Sequence, residues 1–92
     1  MGIRMRSKTI LIKSALGIHL RPAGAMSDAA IKYNSKVMFN YGEGRTANAK
    51  SVISILAAGV KCGEEIELTA EGDDEDAAIE AVASAFEEAL KD

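Results

Sequence analysis

The seven residues Gly17-Ile18-His19-Leu20-Arg21-Pro22-Ala23 separate two kinds of sequence. Before them, Lys8 to Lys13 reads as a strand, with Ile10 and Ile12 on one face and Leu11 on the other. After them, Arg21 to Tyr33 reads as a helix. Pro22 is pre-organised for its first turn, and Pro22, Met26, Ala29, Ala30 and Tyr33 recur at helical spacing. The connection from Ser14 to Leu20 contains Gly17 and carries the only histidine of the chain, just ahead of its only proline. A helix start leaves backbone N–H groups without intrahelical acceptors and favours negative charge. His19, Arg21 and those open N–H groups together make a place to carry a phosphoryl group. Pro22 has no N–H, so the donors on offer are those of Leu20, Arg21 and Ala23.

Further along, Lys36 to Tyr41 alternates, with Val37, Phe39 and Tyr41 on one face. Gly42-Glu43-Gly44-Arg45 supplies a hairpin turn, and Thr46 to Asn48 a short returning strand. Ser51 to Ala58 reads as a short helix closed by Gly59, with Val52, Ile55 and Leu56 on its inner side. Ile66, Leu68 and Ala70 alternate with Glu65, Glu67, Thr69 and Glu71 in a half-buried strand that Gly72 ends. Asp73 or Asp74 caps a last helix whose stripe is Ile79, Val82, Phe86 and Leu90. Strand, helix, strand, strand, helix, strand, helix is an α+β order, expected to pack as two layers. Residues 1–92 are expected to form a single domain, with 1–7 as a loosely ordered N-terminal extension.

Composition narrows the functional classes. A net charge of -3, with a basic cluster only at Arg4, Arg6 and Lys8, argues against nucleic acid as a partner. No apolar run approaches the ~20 residues of a membrane span, and none behind Arg4 and Arg6 suits a signal peptide. One cysteine, Cys62, forms no internal disulfide. With no second histidine and no paired-cysteine site, neither a metal nor a cofactor is expected. The whole suits a cytoplasmic protein.

Two motifs give the chain a family resemblance. Gly17-Ile18-His19-Leu20-Arg21-Pro22-Ala23 is similar to the Gly-Leu/Ile-His-Ala-Arg-Pro-Ala of the histidine-containing phosphocarrier (HPr) family of the bacterial sugar phosphotransferase system. Asn48-Ala49-Lys50-Ser51 resembles the regulatory serine segment of its low-GC Gram-positive members. The resemblance spans roughly Lys8 to Leu90 and keeps the element order. It implies a βαββαβα open-faced sandwich, a four-stranded antiparallel sheet covered on one face by three helices. It implies that His19 accepts phosphate on Nδ1 from enzyme I and passes it to the enzyme IIA domains of sugar permeases, with Arg21 holding the group. It also implies that an HPr kinase/phosphorylase phosphorylates Ser51, slowing transfer and promoting binding to a catabolite control repressor, and that the chain is a monomer. Leu16 and Leu20 depart from the family, standing where polar or small residues are usual.

The bare chemistry agrees with a carrier. A neutral imidazole is a nucleophile near pH 7, and a loop at a helix head keeps the attached group accessible. Ile18, Gly24, Ser27, Ile31, Ile53 and Ala57 read as a partner-docking patch beside His19, with small Gly24 and Ser27 permitting close approach. Ser51 also suits a plain helix cap. Two rival functions are a regulatory HPr-like paralogue acting through Ser51 and a transcription factor, and a non-catalytic two-layer α/β ligand-binding module.

Overall fold

Alternating burial builds the sheet. The computed structural model describes residues 5–91, which run β1 (Arg6–Leu11), α1 (Leu20–Ala30), β2 (Lys36–Tyr41), β3 (Arg45–Asn48), α2 (Val52–Ala57), β4 (Glu65–Glu71) and α3 (Glu75–Leu90). Along β4, Ile66, Leu68 and Ala70 are buried while Glu65 and Glu67 face solvent. β4 lies centrally, with Ile10 of β1 opposite Ile66 on one side and Phe39 of β2 opposite Leu68 on the other. β3 completes the order β1-β4-β2-β3, every pairing antiparallel, with Ala47 opposite Phe39. Gly42 and Gly44 make the β2–β3 turn at φ of +56° and +71°, a backbone region that glycine enters without strain.

The helices cover one face. α3 crosses β1 and β4 and packs along α1, while α2 lies against α1 and β3. Phe39, Phe86, Ile12, Met26, Ile55 and Leu68 fill the space between the layers. The stripe Ile79, Val82, Phe86 and Leu90 is buried as the spacing requires. This is the open-faced βαββαβα sandwich.

Several local expectations are corrected. β1 starts at Arg6, so Arg6 and Ser7 are not part of a loose extension: they stand opposite Ala70 and Thr69. Arg6 also binds Asp76, and Lys8 binds Glu87, which holds β1 on α3. Residues 1–4 of that expected extension lie outside the described residues. α1 stops at Ala30, after which Lys32 and Tyr33 donate to the carbonyls of Ala29 and Ala30 in tighter turns. The turn that follows is held by Asp74, whose carboxylate accepts from the N–H groups of Asn34 (2.8 Å) and Ser35 (2.9 Å) and from the Ser35 hydroxyl. Asp74 therefore occupies the N-cap position of α3 with its carbonyl accepting from Ala78 (2.9 Å) but with its side chain turned away from the helix to the 34–35 turn. Gly72 permits the contact, because a Cβ there would lie 2.7 Å from Ser35 Cα. In α2 the fully buried residue is Ile55. Leu56 is exposed, since six residues make too short a helix to bury a broad face.

Candidate functional site

The loop that carries His19 is fixed from both sides. Gly17 donates to Ser14 O (2.9 Å) and Ile18 to Val60 O (3.0 Å), while the Leu16 N–H reaches Ser14 Oγ (3.4 Å). Gly17 sits at φ +68°, with its α-carbon so close to the next segment that a Cβ would lie 2.6 Å from Val60 O. Glycine is required there by conformation and by space. The loop is thereby pressed against Val60–Cys62, and the Cys62 thiol approaches Lys13 O at 3.6 Å.

His19 is the N-cap of α1, in extended conformation at φ −99°, ψ −169°. Its carbonyl accepts from Ala23 (3.1 Å), but its half-buried ring caps no backbone group. That bond removes Ala23 from the expected phosphate donors. Pro22 has no N–H, which leaves Leu20 and Arg21 as the open donors of the first turn. Lys13, Arg21 and Lys61 are exposed on the segments that frame the loop, giving it cationic surroundings. Among the described residues, no group of His, Cys, Asp and Glu could hold a metal ion.

Arg21 lies in the first turn, as the sequence requires, yet its side chain points across the fold. Nη2 donates to the backbone carbonyl of Lys91, just past α3, at 2.8 Å. Nothing in the spacing of the sequence signals that partner.

The expected docking patch is partly dissolved. Ile18 is buried at 6% exposure, drawn inward by the Val60 bond, and Ser27 is buried at 7%, its hydroxyl donating to Lys50 O (3.1 Å). Lys50 in turn donates from Nζ to Tyr33 O (2.8 Å). α2 thus begins beside Ser27 and ends near Ile18, antiparallel to α1. Ser51 caps α2, its Oγ accepting from Ser54 N (3.2 Å). Ile31 is exposed but stands past the far end of α1, away from His19. Ile53, at 81% exposure, and Ala57 do face outward. Leu16, Leu20 and Leu56 join them as exposed apolar residues. Gly24 has nothing within 4 Å of where a Cβ would stand. A glycine inside a helix costs about 1 kcal/mol relative to alanine, so nothing within the chain calls for it.

Comparison with known proteins decides the family. A profile described as the PTS HPr component phosphorylation site matches residues 6–88. The chain belongs to the HPr family. The phosphocarrier protein HPr of Treponema pallidum is 39% identical over 80 residues, covering 87% of this chain and 90% of that one. The multiphosphoryl transfer protein of Vibrio cholerae is 35% identical over 89 residues, covering 95% of this chain and 22% of the longer protein. A solved histidine-containing phosphocarrier protein of Mycoplasma superposes with a TM-score of 0.87 at 31% identity, over 92% of this chain and 97% of that chain. As an HPr component, the chain functions as a phosphocarrier of the phosphotransferase system. No helix among the described residues is long and apolar enough to cross a membrane.

Proposed function

We propose that His19 is the residue that carries the phosphoryl group, accepting it from enzyme I and passing it to enzyme IIA domains of sugar permeases. The observation that carries this reading is the placement of the only histidine at the N-cap of α1. Its ring is uncommitted to capping, and the open N–H groups of Leu20 and Arg21 follow it. The lone pair of the neutral ring, at Nδ1, attacks the phosphorus of the donor's phosphoryl group. The bond to the donor breaks, and its electron pair returns to the donor, so no water is consumed. Arg21 then exchanges the neutral Lys91 carbonyl for a dianionic acceptor, which binds a guanidinium more strongly.

Ser51 is the regulatory site in this reading, phosphorylated by an HPr kinase/phosphorylase and then favoured by a catabolite control repressor. Its side chain is half-exposed at the start of α2, next to Lys50, whose carbonyl accepts from Ser27 of α1. Charge added there acts on docking more than on folding. Ile53 and Ala57 belong to the docking face, and the carrier works as a cytoplasmic monomer. Enzyme I and phosphoenolpyruvate should add one acid-labile phosphate to the parental chain and none to His19→Ala. Ser51→Asp should slow that labelling, and a parental rate would remove Ser51 from the account.

A further inference from the structure

We propose that Glu64 is a positioning residue for phosphoryl transfer, aiming the peptide unit between Val60 and Lys61 that holds the backbone just ahead of His19. The inference rests on the reading of His19 as the acceptor. One short segment, 60–64, braces both ends of the histidine loop. At the start, Ile12 donates to Glu64 O (2.8 Å) and its own carbonyl accepts from Gly63 (2.7 Å). At the end, Ile18 donates to Val60 O, and Gly17 lies against Val60 and Lys61 too closely to admit a Cβ. The His19 ring makes no capping bond, so its direction follows the backbone of residues 18 and 19. That backbone in turn follows the Val60 carbonyl.

The brace lies between α2 and β4, outside either element, and a side chain closes it on itself. The Glu64 carboxylate accepts from the Lys61 N–H at 2.7 Å, and the Glu64 N–H donates back to Lys61 O at 3.1 Å. The Lys61 N–H and the Val60 C=O belong to one planar trans peptide unit and point to opposite sides of it. Pinning the N–H on Glu64 therefore aims the C=O at Ile18, and the charged acceptor also polarises that carbonyl toward its donor. Lys61 and Glu64 are both exposed, so water would satisfy the N–H if the carboxylate were removed. What Glu64 adds is the orientation of the unit. In-line displacement needs the His19 nitrogen aligned with the phosphorus, and a small misplacement of a reacting group costs rate steeply.

The test is single-turnover transfer from phosphorylated enzyme I to the full chain, Glu64→Ala and Glu64→Gln over a range of concentrations, beside amide hydrogen exchange. Glu64→Ala should lose about tenfold in the saturating rate constant, with the half-saturating concentration unchanged. Glu64→Gln keeps an acceptor for the Lys61 N–H and should recover most of that loss. In Glu64→Ala the Ile18 amide should exchange faster, while the amides of α3 exchange at the parental rate. A parental rate constant in Glu64→Ala, a loss confined to half-saturation, or no recovery in Glu64→Gln would overturn the proposal and leave His19 as acceptor. Faster exchange throughout α3 would mean a general loss of stability and would overturn it too. No label on the parental chain would overturn both readings.

Discussion

Arg21 is tied to Lys91: its guanidinium donates to the Lys91 backbone carbonyl at 2.8 Å, joining the first turn of α1 to the end of α3. The bond is exposed and its acceptor neutral, so it contributes on the order of 1 kcal/mol or less. A phosphoryl group on His19, at the N-cap of α1, would be the better acceptor. Arg21→Lys keeps the charge but loses the planar fork. It should slow phosphoryl transfer about tenfold in rapid-quench measurements while moving the thermal midpoint little. Transfer at the parental rate would mean that Arg21 stays on Lys91.

Gly17→Ala should damage stability and site together. The new Cβ would stand 2.6 Å from Val60 O at φ +68°, so both the loop and its neighbour must shift. We expect a loss of about 1–3 kcal/mol in urea unfolding, with slower labelling of His19 as the Ile18–Val60 bond is disturbed.

The clamp between Asp74 and the 34–35 turn should respond to acid. The Ser35 hydroxyl first, then the backbone N–H groups of Asn34 and Ser35, hold the Asp74 carboxyl below its ordinary value of 3.8. A carboxylate lowered in the folded chain binds fewer protons there than in the unfolded chain. Its stabilisation is therefore fully present above the ordinary value and is lost as pH falls through the lowered one. Asp74→Asn should unfold more easily than the parent at pH 7, and the gap should close in acid below about pH 4. A gap that stays constant with pH would deny the clamp its charge dependence.

The sequence made the architecture legible because its signals were local. Alternation in Glu65–Glu71 and the stripe Ile79–Leu90 needed no knowledge of neighbours. What failed was the direction of side chains that depend on two packed elements. Ser27 lies opposite the stripe inferred from α1 alone, but α2 covers that side and takes its hydroxyl to Lys50. Ile18 sits beside the histidine in sequence, yet the bond to Val60 turns it inward. Arg21 finds a carbonyl 70 residues away, a partner no spacing rule contains. Tyr33 falls outside α1, in turns that lead to a segment held by the distant Asp74.

The central claim is that His19 is a relay and not an end point. The most direct measurement is a chase: label the chain with enzyme I and radioactive phosphoenolpyruvate, remove the donor, and add an enzyme IIA domain. The account predicts an acid-labile label on a peptide containing His19, absent from His19→Ala, that passes to the IIA domain faster than it is lost to water. Label that resides elsewhere, or that leaves His19 only as free phosphate in the presence of the IIA domain, would contradict it.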